Sequence, residues 1–479
     1  CGVFKSENLT VELASELTAL DADRLTQEDI QQVQKLVLDH VVVAMAGSVQ
    51  PWGRMLTIWA ERHGATGKAR LIGSGRMAGA ATAGLVNGTS GHGYELDDTH
   101  DASMSHPGVA VITAALAVGR ELGSSGRDII SAVVAGYEAM ARIGMAANSL
   151  GVISHGQHPT CLFGPFGAAA AATMLMGLDS DGMARAWGLA LSMASGANQF
   201  AFEPKGTMVK RMHGGIPAQN GIIAAQLSGI GVSGPMRALE GPMGFFNVFG
   251  KEPDPSRLQK GTDDPFEIHN ISVKPYSCCR KFHSLIDALE EASDGFSIDT
   301  GSIAKIKVRS PETAITGHQM TRPDSVMAAQ YSMPYIVGAT MAYGPRRYDA
   351  FGDDHHRDPR ILNFVDPVEV VHDSSFDPMV PEKMPHGVDL ELKNGSVRSA
   401  TILDSLGTPE KPLSIGGVVD KARVLVAMMD PDIDLDRIIS TVEDLPQLDN
   451  ISALTDLLSV PSYGQNGGPT LDVAQDSGE

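Results

Sequence analysis

Residues 93–108 read "GYELDDTHDASMSHPG": four acids and two histidines in one short loop that closes on a proline. Three readings fit those side chains: a carboxylate clamp for a metal or a diphosphate, a general acid/base site working beside a substrate carboxylate, or a solvated loop with no chemistry. His106 stands directly before Pro107, which suits the first position of a helix, so its imidazole is expected at the cap of the helix opening "PGVAVITAAL". The positive end of that helix favours a neutral imidazole and welcomes an anion. "ISHGQHPTCLFGPFGAAAAA" repeats the arrangement with His158 before Pro159, and His155 three residues earlier is the weaker candidate. Paired histidines at helix starts are the ingredients of proton transfer.

Three further polar islands border apolar segments. "KGTMVKRMHGGIPAQNG" carries Lys205, Lys210, Arg211 and His213, a basic tract able to hold a substrate carboxylate. "VKPYSCCRKFHSLIDAL" carries Lys274, Arg280, Lys281 and His283, and "QYSMPYIVGA" carries Tyr335. Read literally, Asp97-Asp98-Thr99-His100-Asp101 is D-D-x-x-D, the Mg²⁺ and diphosphate pattern of helical terpenoid synthases. Those enzymes need a second metal motif on a facing helix and an aromatic cavity. Aromatics are only 5% here, and the nearest comparable run is "GDDHHRDPR" at 352–360. A hydrolytic metal site from His92, Asp97, Asp98 and His106 has suitable ligand types, but the spacing fixes no geometry. No G-x-S-x-G, P-loop or dinucleotide fingerprint in strand-turn-helix context is present. His, Asp, Lys and Tyr without metal or cofactor remain, the kit for moving a proton beside a carboxylate. On that reading His106 carries the chemistry, and Asp98 and Asp101 shape the loop.

The elements that must position these groups are mostly helical. From about residue 9 to 235, long segments such as "LTQEDIQQVQKLVLDHVVVAMAG", with a threonine cap and a glutamate in its first turn, and "GRDIISAVVAGYEAMARIGMAA" predict helices. Several are apolar nearly all round, as buried bundle helices are. "GKEPDPSRLQKGTDDPFEIHN" reads as a boundary. Beyond it, "SIAKIKVRS", "VEVVHD" and "GVDLELKNGSVRSATIL" alternate as strands do, the last folding as a hairpin at Asn394-Gly395. The pattern predicts a helical domain over 7–266, an α+β domain over 267–413, a helical return over 414–460 and a disordered tail over 461–479. The fold class is thus mostly α, with one large helical domain formed by both chain ends and a smaller α+β domain inserted.

Length and charge bound the function. At 479 residues the chain can bury two cores, and Lys+Arg 37 against Asp+Glu 57 gives a net charge of −20, which excludes a phosphate-backbone footprint on nucleic acid. No uncharged apolar run reaches the roughly 18 residues of a membrane span, and "CGVFKSENLT" lacks the regions of a signal peptide, so a cytoplasmic location and no membrane partner are expected. Cys1, Cys161, Cys278 and Cys279 form no C-x-x-C, and the adjacent pair is expected as buried small hydrophobes.

Taken together, "LDHVVVAMAG", "GLVNGTSGHGYELDDTHDASMSHPG", "HPTCLFGPFGAAAAA", "VKRMHGGIPAQNG", "KPYSCCRKFHSLIDAL" and "QYSMPYIVGA" resemble the MmgE/PrpD family across nearly the whole chain. That family includes 2-methylcitrate dehydratase, cis-aconitate decarboxylase and iminodisuccinate epimerase. The resemblance implies a helical domain with an inserted lid, a homodimer, and a cofactor-independent lyase acting on a small di- or tricarboxylate. It places active-site groups at Glu95 or Asp97, Thr99, His106, His158, Lys210, Lys274 and Tyr335. His106 and His158 would handle protons, Lys210 and Lys274 anchor carboxylates, and Thr99 and Tyr335 donate hydrogen bonds. His283 joins Glu95, Asp97, Thr99 and Lys274 as a substrate-binding candidate. Glu95 stands where animal decarboxylases look to have aspartate, Cys278-Cys279 where they have a histidine, and the "DTW" pattern of enterobacterial 2-methylcitrate dehydratases is missing. Dehydration of a 2-methylcitrate-like hydroxy acid is the first expectation, cis-aconitate-type decarboxylation to an itaconate the second, and epimerisation at an acidic carbon the third.

Overall fold

A computed structural model describes residues 8–203, 207–261, 264–380 and 383–463. Lys205 and most of the expected tail lie outside the described residues. The chain is mostly helical. Gln27–Ser48 starts at Thr26, whose hydroxyl accepts from Asp29 N–H while Asp29 accepts from Thr26, so Asp29 rather than Glu28 completes the capping box. Gly126–Ala146 is long and apolar enough to cross a membrane by length and composition, but it is packed inside the protein. Its Arg142 and Glu138 are buried and paired with each other.

Helices Ala80–Gly93, Pro107–Leu122, Gly126–Ala146, Pro159–Leu175 and Val209–Gly229 pack on one another as the core of the bundle. The crossing of Ala80–Gly93 with Val209–Gly229 has no room for side chains. A Cβ on Gly215 would overlap the Leu85 carbonyl oxygen, and one on Gly214 would lie 2.7 Å from His92 Cβ. This contact sets the helix carrying Lys210 and His213 against the helix carrying His92. Gly215→Ala is therefore expected to destabilise the fold by about 1–3 kcal/mol through overpacking, read as a lowered Tm by calorimetry.

Apolar side chains gather in two clusters. One runs from Leu9 to Val273, takes in Tyr348, and resumes from Leu413 to Val460, with helix Ile415–Met429 packed on Gln27–Ser48. The other runs from Tyr276 to Ala400. It is built on a four-stranded sheet of β1 (Ile303–Ser310), β2 (Val368–His372), β3 (His386–Leu392) and β4 (Val397–Ile402), in the order β2-β1-β3-β4. β1 and β2 are parallel, with Ile306 opposite Val368, while β3 pairs antiparallel with β1 and β4. The β3–β4 hairpin turns at Asn394-Gly395, where Gly395 has φ +86°, a conformation that favours glycine. Helix His283–Ala292 covers the sheet.

A shorter pairing matters more for function. Thr99 lies opposite Ser272 and His100 opposite Ile271 in a two-residue antiparallel ladder. Continuing that register by two residues brings Lys274 opposite Asp97.

Candidate active site

Each group at the centre of the site is delivered by a local rule. His106 and His158 are the N-cap residues of Pro107–Leu122 and Pro159–Leu175, with proline in the first turn of each helix. These helix starts are tied together, because His106 N–H donates to Thr160 Oγ1 at 3.0 Å. Lys210 and His213 lie three apart on Val209–Gly229, hence on one face. Lys274 comes from the ladder, with Nζ 3.0 Å from Asp97 Oδ1. Glu95 has φ +56°, a left-handed backbone that costs a non-glycine residue of order 1–3 kcal/mol. Such strain is held in place by surrounding contacts, and here Glu95 gathers cations. Lys210 bonds to Glu95 Oε1, Arg211 Nη1 lies 3.5 Å from the same oxygen, and Lys274 Nζ lies 3.7 Å from Oε2.

Asp97 is the hub of the imidazoles. Its Oδ2 lies 2.7 Å from His92 Nδ1 and 3.2 Å from His106 Nδ1. His106 Nδ1 also lies 2.8 Å from the Asp98 carbonyl oxygen and 3.3 Å from Thr99 Oγ1. A carbonyl only accepts, so the network assigns the proton to His106 Nδ1 and leaves Nε2 as a base. Burial works to raise Asp97, but His106, Lys274 and His92 hold it well below the usual carboxylate range. Burial depresses His106 against the pull of Asp97, and it drives His92 and His158 well below the ordinary histidine value. Burial, with Lys274 and Arg211 alongside, also draws Lys210 well below the lysine range. Neutral imidazoles thus surround an ionised Asp97. The His106 and His158 rings stack 6.4 Å apart, and His213 stands 5.0 Å beyond His158.

A cavity of about 140 Å³ opens beside this cluster, lined on one side by Glu95, Thr99 and His106 and on the other by Cys279, Arg280 and Tyr331. Its size is below the roughly 300–1,000 Å³ of sites for drug-sized ligands, so it suits a small molecule.

The three aspartates of the D-D-x-x-D run diverge. Asp97 takes the imidazoles and Lys274. Asp98 accepts from Gly108 N–H at 2.9 Å and Tyr137 OH at 2.5 Å, pinning the loop to the helix start. Asp101 accepts from Ser272 Oγ at 2.6 Å and Arg280 Nη2 at 3.2 Å. They do not converge on one cation. His92, Asp97 and His106 do offer ligand atoms within 4.8 Å of one another. The Lys274 ammonium on Asp97 places a positive charge against that cluster, which fits an ion-pair network better than a metal cage.

Two expected site residues lie elsewhere. Ser332 caps helix Met333–Tyr343 by accepting from Tyr335 N–H, which draws Tyr335 into the first turn. The Tyr335 hydroxyl donates to the Ala350 carbonyl at 2.9 Å and packs near Phe351 and His356, in the second apolar cluster. His283 begins its own helix, bonds the Cys278 carbonyl at 3.3 Å and rests on Tyr276. Tyr331, one residue before the Ser332 cap, reaches the cavity instead, with Lys210 Nζ 5.5 Å from its ring centre. Cys278 is buried as expected, whereas Cys279 is half-buried on the cavity wall. The sequence assigns no proton-handling part to His92 and no part to Gln330, which accepts from Arg211 Nη2 at 2.9 Å and donates to the Tyr94 carbonyl. The serine-methionine-proline run at 332–334 is the signal that separates the two tyrosines; His92 is marked in the sequence only as a metal-ligand candidate. Tyr331→Phe is expected to lower kcat by about tenfold or more. Tyr335→Phe should leave kcat within twofold and cost about 1–3 kcal/mol of stability by stranding the Ala350 carbonyl. Parallel kinetics and thermal melts check both.

The profile of the MmgE/PrpD N-terminal domain matches residues 11–258, and that of the MmgE/PrpD C-terminal domain matches residues 276–447. The chain belongs to the MmgE/PrpD family. This MmgE/PrpD protein is 28% identical to a cis-aconitate decarboxylase-like protein of Aspergillus oryzae, over 94% of this chain and 97% of the relative. It is 26% identical to a cis-aconitate decarboxylase of Aspergillus terreus, over 95% and 96%. It is 24% identical to the cis-aconitate decarboxylase of Homo sapiens, over 95% of both chains.

Proposed function

We propose that this MmgE/PrpD protein is a lyase acting on a small di- or tricarboxylate without a cofactor, and that decarboxylation of a cis-aconitate-type acid is its reaction. The observation that carries the lyase reading is His106, fixed through Nδ1 by the Asp98 carbonyl and Asp97, with the buried ammonium groups of Lys210 and Lys274 gathered on the adjoining carboxylates. The names of the relatives favour decarboxylation over the dehydration expected first. On this reading Lys210 and Lys274, paired in this structure with Glu95 and Asp97, exchange those partners for two carboxylates of the substrate. The carbon–carbon bond to the departing carboxylate breaks, CO₂ leaves, and the electron pair moves through the alkene to the allylic carbon. That carbon takes a proton, for which the acidified Lys210 ammonium is the donor and the imidazoles the relay.

Dehydration is the second reading. Its support is the geometry of His106, whose Nδ1 is held by the Asp98 carbonyl and Asp97, which leaves Nε2 as a base ready to remove a proton next to a carboxylate. The stretch from Tyr276 to Ala400 that builds the second apolar cluster, and that also carries Cys279, Arg280 and Tyr331 of the cavity wall, is proposed as an inserted lid, and a homodimer as the assembly.

The test is incubation with a panel of polycarboxylates in D₂O with and without EDTA, followed by NMR. Released CO₂ with deuterium at the new methylene supports decarboxylation. A new alkene without carbon loss replaces it with dehydration, and deuterium uptake with inversion replaces it with epimerisation. Activity lost in EDTA, or no reaction with any acid, overturns the cofactor-free lyase.

A further inference from the structure

Lys421 is a buried cation that the proposed reaction does not use. It lies on helix Ile415–Met429, 2% exposed, and comes from the far end of the chain. Its Nζ donates to Asp39 Oδ1 at 2.7 Å and to the Leu96 carbonyl oxygen at 2.7 Å. Asp39 is equally buried, on helix Gln27–Ser48. Leu96 is the residue between Glu95 and Asp97. One ammonium thus joins a helix of each chain end to the peptide separating the two carboxylates that hold Lys210 and Lys274.

The arrangement is expensive as pure packing. Ion pairs in an apolar interior lose hydration that their mutual attraction barely restores, and apolar side chains of the same shape commonly stabilise as well or better. What an apolar pair cannot do is hold a carbonyl. The Leu96 carbonyl belongs to the peptide that leads directly into Asp97 and follows Glu95, whose left-handed φ makes this corner prone to relax. Fixing that plane fixes the directions in which both carboxylates project.

We infer that Lys421 is a positioning residue for the Glu95–Asp97 pair, which makes the returning C-terminal helix part of the catalytic apparatus. The inference rests on the lyase reading for its kinetic consequence and on geometry alone for its spectroscopic one. Lys421→Met strands Asp39, so the decisive variant is Asp39→Asn/Lys421→Met, which removes the charges together and leaves the Leu96 carbonyl unheld. In the full chain, this double variant is expected to melt within a few degrees of the parent and to bind a non-reacting tricarboxylate with unchanged stoichiometry. Its kcat falls by about 10²-fold, the scale of a misplacement near 1 Å, with a much smaller change in KM. Its ¹⁵N-histidine NMR signals from His92 and His106, the two rings bonded to Asp97, shift. Parental kcat together with parental imidazole signals overturns the inference. If the parent turns over no polycarboxylate yet these signals shift in the double variant, the lyase reading fails while the positioning role stands.

Discussion

Asp97→Asn is expected to lower kcat by about 10³-fold, the scale of loss when the carboxylate that orients a catalytic imidazole is neutralised. Asp97 Oδ2 receives His92 Nδ1 and His106 Nδ1, and Oδ1 receives Lys274. An asparagine offers one oxygen and one NH2, so one of the three contacts, or both imidazole contacts in the flipped amide, meets an N–H where it needs an oxygen. The amide also removes the negative charge that favours the proton on His106 Nδ1, and the base nitrogen no longer has a defined direction. Lys274 is left buried with Glu95 at 3.7 Å as its nearest carboxylate. Breaking a buried pair from one side costs about 3–5 kcal/mol, so a lowered Tm should accompany the kinetic loss. Turnover and calorimetry on the same preparation measure both. Parental kcat in this variant would show that the imidazoles are oriented by something other than Asp97.

A steep loss of stability between pH 6.5 and 4 is the second large effect. Burial lowers His40, His213 and His386 to about 4. Below pH 6.5 the unfolded chain takes up protons at these positions and the folded chain does not, so the free energy of unfolding falls as pH falls. Each histidine withdraws about 3 kcal/mol across the window, and the three together about 10 kcal/mol. His92, His158 and His283, also depressed by burial, act in the same direction. Asp98 and Asp39, both raised by burial, oppose them, while His318, also lowered to about 4, acts with the histidines. Asp98 is pushed up to about 7, so its stabilising share is full below the ordinary aspartate value and fades as pH rises through 7. That offsets about one histidine. The remaining loss is comparable with the whole stability of a typical protein, about 5–15 kcal/mol. Urea unfolding at pH 7.5, 6 and 5 checks the slope. His386→Gln, on β3 where the ring meets the Ser284 and Ser310 hydroxyls, should flatten it.

The parts of the site that were legible in the sequence are those set by local rules. A histidine before a proline announces a helix start, and both His106 and His158 stand at one. The basic tract expected ahead of a glycine-rich helix is instead the first turn of that helix, Val209–Gly229, which begins before Pro217 and sets Lys210 and His213 on one face. Lys274 was reached through the family blocks, because its meeting with Asp97 is made by strand register between segments more than 170 residues apart. Tyr335 and Tyr331 lie in one family block, which favours Tyr335; only the Ser332 cap shows that Tyr331 is the one facing the cavity. The aspartate-rich run was legible as a cluster but not as three diverging side chains, since each partner comes from a different element. The alternation that predicted the strands also placed the Asn394-Gly395 turn. The parallel placement of β2 beside β1 was not readable, because parallel pairing leaves no turn signal in the sequence.

The two-residue ladder of Thr99 and His100 with Ile271 and Ser272 restricts how this stretch can change over evolutionary time. Successive residues of a strand point to opposite faces, so inserting or deleting a single residue between Ser272 and Lys274 turns the lysine away from Asp97. Substitutions along that stretch leave the register intact, while a frame slip of one residue separates the ammonium from its carboxylate. Descendants of this gene can therefore vary the chemistry of the cavity wall at Met104 or Cys279 far more freely than they can vary the length of the chain that leads into Lys274.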